Sequence, residues 1–137
     1  MAAGYSGKPL GTKLGIKPGH RVHVAGAPAG FELEGLPEDI QLLGASAGVL
    51  DVILLFVRDQ KTLRGAFPRQ TGRLTEAGML WVAWPKRTSK VPTDLTEDRI
   101  RSIVLPAGYV DVKVCAVDET WSGLKIVKRL ENRRKDK

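Results

Sequence analysis

Two stretches of the chain are apolar almost without interruption. Residues 51–57 read Asp-Val-Ile-Leu-Leu-Phe-Val, and residues 79–84 read Met-Leu-Trp-Val-Ala-Trp. Runs of that length without polar alternation predict strands covered on both faces, as in the middle of a parallel sheet. Arg21–Ala25 predicts a shorter strand, bounded by Gly26-Ala27-Pro28-Ala29-Gly30, and residues 40–43 predict another. Helical spacing appears between these runs. Leu10 and Leu14, four apart, predict a short amphipathic helix over residues 6–15, closed by the turn Ile16-Lys17-Pro18-Gly19. Residues 31–36 predict a short helix that stops at Pro37.

Two further helices carry their own start signals. Asp59 can cap a helix whose apolar face uses Leu63, Phe67 and Leu74, with Pro68 bending or interrupting it. After a polar loop over residues 85–92, Thr96 can cap a second helix. Glu97 and Asp98 suit its positive end, Leu95 can staple onto Ile100, and Ile100, Ile103 and Val104 form its buried stripe. Gly108 suits its exit. Residues 109–117 and 124–130 then predict an antiparallel pair, joined by Asp118-Glu119-Thr120-Trp121-Ser122-Gly123. Strands alternating with helices predict an α/β domain: a mostly parallel sheet with helices on its faces and a C-terminal antiparallel hairpin.

Length and charge narrow this picture. The 137 residues suit a single domain, read here as residues 1–131, with residues 132–137 as a basic tail. The net charge of +7 is concentrated: residues 125–137 hold seven basic and two acidic side chains, so this end carries +5. Such a tail can meet nucleic-acid phosphates weakly, or serve as a solvated, solubilising end. The single cysteine, Cys115, sits in an apolar run and reads as a small buried hydrophobe. No apolar run approaches the roughly 20 residues that span a bilayer, so no membrane partner is expected and the protein reads as cytoplasmic.

Few residues suggest chemistry. His20 and His23 are three apart, but the flanking Val22 and Val24 imply a strand, which turns the two rings to opposite faces; no metal is expected. Trp84 stands where strand becomes loop, followed by Lys86, Arg87, Thr88, Ser89 and Lys90. On open α/β sheets ligands bind at the carboxyl ends of strands, so this loop reads either as an anion- or partner-binding element or as solvated surface. Trp121 either covers the hairpin's apolar edge or lines a pocket with Glu119. Asp94 precedes a helix that must begin at the same edge. The topology therefore predicts that Trp84, Lys86, Asp94, Glu119 and Trp121 gather at one end of the sheet, as candidates for binding a small ligand or a protein.

Four segments carry a family resemblance. Lys17-Pro18-Gly19 before Arg21–Ala25, the strand at 51–57, Gly78-Met79-Leu80-Trp81-Val82, and Gly108-Tyr109 before the hairpin resemble successive elements of the S-adenosylmethionine-dependent methyltransferases. The likeness implies a three-layer Rossmann-like fold with one middle βα unit missing. Leu14-Gly15-Ile16-Lys17-Pro18-Gly19, the strand at 51–57, Pro85-Lys86, and Thr120-Trp121-Ser122-Gly123 with Leu124-Lys125-Ile126-Val127 are similar to a bacterial family known as domain of unknown function 3052. That resemblance implies no activity.

The methyltransferase resemblance also says where the cofactor should sit. Its acidic residue falls on Val24, and its three glycines fall on Gly26, Pro28 and Gly30. Gly26 and Gly30 are thus candidate ligand-binding positions. Pro28 lacks an N–H, and the second strand runs into Gly44-Ala45-Ser46 without the carboxylate that would hold the ribose. The expectation is a non-enzymatic small-ligand or partner-binding module on a degenerate scaffold, with no cofactor and S-adenosylmethionine disfavoured. The alternatives are a small methyltransferase with an atypical cofactor site, and a nucleic-acid-associated protein using its tail. A cleft of about 300 Å³ or more at the strand ends favours the transferase; a site plugged by Phe31 or Trp84 favours the binding module.

Overall fold

The computed structural model describes residues 9–44 and 48–133. Six strands form one sheet: β1 (Arg21–Ala25), β2 (Gln41–Leu42), β3 (Leu50–Phe56), β4 (Leu74–Pro85), β5 (Tyr109–Ala116) and β6 (Trp121–Lys128). Their spatial order is β2-β1-β3-β4-β6-β5. The first four run parallel, β6 runs antiparallel to β4, and β5 runs antiparallel to β6. The α-helices are α1 (Leu10–Lys13), α2 (Gln60–Thr71) and α3 (Glu97–Val104). The mixed, mostly parallel sheet with its closing hairpin is the architecture the alternation predicts. Among the described residues no helix is long and apolar enough to cross a membrane.

The strand-forming runs are those buried on both faces. Residues 52–57 of β3 and its exit, and residues 78–85 of β4, are all buried. One face, with Ile53, Leu55, Leu80, Val82 and Trp84, packs under α2 and α3 through Leu63, Phe67, Ile100 and Val104. The other, with Val52, Leu54, Phe56, Trp81 and Ala83, lies under α1 and irregular chain through Leu14, Ile16, Phe31 and Leu36. Trp81 is fully buried there, and its indole N–H donates to the Leu14 carbonyl at 3.0 Å. A ring of that size in the core needs such a partner. Both predicted caps form: Asp59 accepts from the Thr62 amide at 2.7 Å and Thr96 from the Arg99 amide at 3.1 Å.

Several boundaries differ from the sequence reading. Residues 31–36 are not helical. Gly30 and Gly35 both take positive φ, and the Glu34 carbonyl accepts from the Gly11 amide of α1 instead of a helical neighbour. That segment spends its apolar residues on covering the sheet. The first helix is confined to Leu10–Lys13, and residues 6–8 of its expected span lie outside the described residues. Pro68 stands inside α2 without ending it, and Leu74 belongs to β4, which starts five residues earlier than its apolar run. β6 likewise begins at Trp121, because Asp118 folds the hairpin into a tight turn by accepting from the Thr120 and Trp121 amides, each at 2.8 Å. Gly123, read as loop, is a strand residue: a Cβ there would lie 3.2 Å from the Trp81 ring.

At the sheet's other end the Asp51 carboxylate accepts from the Arg21 amide at 2.8 Å and pairs with its guanidinium at 3.1 Å. Partial burial raises the Asp51 carboxyl, but the Arg21 hydrogen bonds and charge outweigh it and hold it below the usual aspartate value. A lowered folded-state value means that ionised Asp51 stabilises the fold above the ordinary aspartate range of about 4, and that this contribution disappears as pH falls through the folded value. Asp51→Asn should therefore be less stable than the native chain at pH 7, and the gap should close in acid. Urea unfolding of both proteins between about pH 7 and pH 2 checks this; a gap independent of pH would refute it.

Candidate functional site

The candidate site lies at the carboxyl edge of the parallel strands. β1, β3 and β4 end there, α2 and α3 begin there, and antiparallel β6 starts there, with Trp121 directly across from Pro85. The chain leaves β1 for β2 on one side and returns to β3 on the other. Connections that part in this way open a crevice at the strand ends. Gly26 occupies that switch point. Its φ is +73°, and a Cβ on it would sit 2.7 Å from the Phe56 carbonyl oxygen, so glycine is what lets the chain turn against β3. Gly30 also has positive φ, +81°, and the space where its Cβ would project is open.

Further along the edge, a cleft of about 680 Å³ opens between the end of β4 and the start of α3. Trp84 and Leu95 give it an apolar base; Lys86, Thr96, Arg101 and Ser122 contribute polar walls. Arg101 is held rigidly. It donates to Asp111 at 2.8 Å, to Glu97 at 2.8 Å and to Asp98 at 2.9 Å. The hydrogen bond that Arg101 donates to Asp111 leads in keeping this guanidinium charged, above its ordinary range.

The predicted residues divide between the two faces of the sheet. Trp84 and Lys86 share the cleft. The Lys86 amide donates to the Thr120 carbonyl at 2.8 Å, so Lys86 and the turn that leads into Trp121 do lie at the same end. Trp121, however, pairs with Pro85 while Trp84 pairs with Ser122, and neighbouring strand positions face opposite ways. Trp84 therefore belongs to the core under α3, and Trp121 to the core on the other face. Trp121 meets Phe56 edge-to-face at 5.0 Å, and Phe56 meets Phe31 at 4.8 Å. This aromatic row covers the sheet beside Gly26. Asp94 accepts from the Gln60 amide at 2.8 Å and so braces the start of α2, while Glu119 is exposed on the hairpin turn. The two histidines are each engaged with backbone: His23 Nδ1 lies 2.8 Å from the Leu43 carbonyl, and His20 Nδ1 accepts from the Lys17 amide.

Sequence reasoning missed Thr96, Arg101 and Ser122 as cleft residues. The spacing of Glu97 and Asp98 to Arg101 was a legible helix-surface signal. The approach of Asp111 and Ser122 was not, because it depends on how β5 and β6 pair.

Known folds of the same shape exist. The chain is similar to the solved structure of a ribosomal protein L11 methylase from Lactobacillus delbrueckii subsp. bulgaricus, at 15% identity over 86% of this chain and 74% of that one, with a TM-score of 0.57. It is similar to a SAM-dependent methyltransferase from Aquifex aeolicus, at 16% identity over 84% and 85%, TM-score 0.59. It is also similar to magnesium protoporphyrin IX methyltransferase from Synechocystis PCC 6803 with bound SAM, at 12% identity over 88% and 74%, TM-score 0.57. The fold is methyltransferase-like Rossmann. No family model matches the chain, and no curated protein matches its sequence.

These likenesses correct two expectations. A non-enzymatic module was expected, with no cofactor; the structures that share the fold are described as methyltransferases, and one of them holds SAM. The missing acidic residue at Val24 and the lost N–H at Pro28 do not change the turn's shape, which the positive φ of Gly26 and Gly30 sets. Of the two discriminating observations, the open cleft of about 680 Å³ is found beside Trp84 and Lys86, and the covering by Phe31 is found on the other face.

The packing makes Trp121 mainly a structural residue. It is 5% exposed, and Trp121→Ala should cost about 3–5 kcal/mol of unfolding free energy. Chemical denaturation measures this, and a loss below about 1 kcal/mol would show that the ring does not hold the aromatic row together.

Proposed function

We propose that this chain is a small S-adenosylmethionine-dependent methyltransferase with an atypical cofactor site. The observation that carries the reading is the Gly26 turn, which keeps positive φ at the switch point and is pressed against the β3 backbone in a sheet of methyltransferase-like order. The fit of the cofactor to this edge rests on backbone. Gly26 and Gly30 have the shape that lets main chain approach a ligand, and no Cβ stands in the way at Gly30. No carboxylate occupies Val24 or the described end of β2, so the acidic groups of the following segment, Glu32 and Glu34, are the ones offered for the ribose and amine; both are exposed. S-adenosylmethionine, when bound, supplies an activated methyl group.

The chain's own part is binding and orientation. The cleft of Trp84, Lys86, Thr96 and Arg101 suits a small polar acceptor, with the indole as apolar wall and the hydroxyl and cations as anchors. Arg101, fixed by three carboxylates, orients without shifting. On this reading the protein works in the cytoplasm as one domain over residues 1–131, with 132–137 as its basic extension. It also belongs with the domain of unknown function 3052 family, supported by Leu14-Gly15-Ile16-Lys17-Pro18-Gly19 and Thr120-Trp121-Ser122-Gly123.

Isothermal titration of the full chain with S-adenosylmethionine tests the proposal. One-to-one binding with a dissociation constant between about 1 μM and 1 mM is expected, the range in which enzymes usually meet their substrates. Absence of heat at about 1 mM ligand would sink it.

A further inference from the structure

Strands β5 and β6 carry positive charge that the fold does not answer. Lys113 lies directly across from Lys125 in the antiparallel pair. Direct cross-strand partners share a face with their Cβ atoms about 5 Å apart, and like charges there are destabilising. Elsewhere the chain pairs its cations near the sheet: Arg21 with Asp51, Arg101 with Glu97, Asp98 and Asp111, and Lys128 with Glu76. Among the described residues neither Lys113 nor Lys125 has a carboxylate partner. Two unpartnered lysines side by side leave a place where an anion from outside can lie between them.

The location extends the argument. Lys125 pairs with Trp81 in register, so both lysines face away from α2 and α3. On that side β5 lies at the sheet's edge, with Lys113 exposed and Cys115 half-buried. Lys13 of α1 reaches the same ground: burial pushes the Cys115 thiol up, while Lys13 and Lys113 both pull it down. A separate cleft of about 440 Å³ begins at Lys125 and is also lined by His20, Val112 and Arg133. Its carboxylate, Asp51, is already committed to Arg21. Arg133 Nε donates to the Lys128 carbonyl at 3.0 Å, which anchors that guanidinium at the cleft.

We propose that this open face of β5 and β6 binds the phosphate backbone of nucleic acid, with Lys113, Lys125 and Arg133 sharing phosphate charge. The line of cations suits a polyanion, and binding would release counterions from it. Membrane adsorption fits less well, because the face has only Val112 as a strongly exposed apolar side chain, where interfacial binding uses a broad apolar surface. Apart from His20, whose ring accepts from the Lys17 amide, the residues named carry no aromatic ring, so recognition is of backbone rather than sequence. This site lies away from the Gly26 turn and the Trp84 cleft, and it stands whether or not the chain transfers methyl groups.

Fluorescence anisotropy of the full chain with a labelled DNA duplex and a labelled single-stranded RNA, each about 20 nucleotides long, tests it between about 50 and 200 mM salt. Binding at low salt that weakens at least tenfold across that range is expected with one or both probes. Lys125→Glu should weaken binding about tenfold and flatten the salt dependence by about one unit of slope or more. It also places opposite charges across β5 and β6, so its melting temperature should equal or exceed that of the native chain. The loss caused by Lys125→Glu should persist in a chain ending at Arg133, which separates the sheet from the tail. The proposal is overturned if no probe binds at low salt, or if Lys113→Glu and Lys125→Glu bind like the native chain. It is equally overturned if Lys125→Glu melts well below native, or if phosphatidylserine vesicles bind the protein and neither nucleic acid does.

Discussion

Strand β4 is buried on both faces over residues 78–85, and most of the fold follows from that one constraint. A strand with nothing polar to offer solvent must be covered above and below and paired on both edges. β3 pairs it on one side and β6 on the other. Its Leu80, Val82 and Trp84 call for α2 and α3; its Trp81 and Ala83 call for α1 and the irregular chain opposite. Even Gly123 on β6 answers to it, since any side chain there would press on the Trp81 ring.

The two faces are covered by different means, and that difference shapes the functional edge. Beneath α2 and α3 the layer is regular, so a defined cleft remains where α3 starts and β4 ends. On the other face, residues 26–40 contain no helix, and Phe31, Leu33, Leu36 and Ile40 pack from loops instead. A loop can follow the sheet closely, which brings Phe31 onto Phe56 and Trp121. Gly26 sits between these regimes. Its left-handed backbone is the point at which the chain turns from strand to covering loop while touching β3.

Charge is distributed with the same economy. Where helices pack, cations are answered by carboxylates, as around Arg101; where the sheet is left open beyond Trp81, Lys113 and Lys125 face each other without one among the described residues. The contrast arises because hydrophobic pairing fixes the register of β5 on β6. The lysines are placed by the need to put Leu124 and Ile126 inward, not by their own attraction.

The sequence by itself determined the elements whose physics is local. The apolar runs at 51–57 and 79–84 are short and bounded by polar, glycine or proline residues, which favours covered strands, and the capping groups of Asp59 and Thr96 act within three residues of themselves. The gathering of Trp84, Lys86 and the hairpin turn at one end was likewise legible, since strand direction alone dictates it. Tertiary structure decided the rest. Residues 31–36 read as a helix in sequence, but the contact with Gly11 and the packing of a half-buried Phe31 on the sheet outweigh a helix too short to hold itself. Which face each tryptophan takes depends on a one-residue register between β4 and β6. Period two turns Trp84 toward α3 and Trp121 toward Phe56, and no local pattern in either strand states that register.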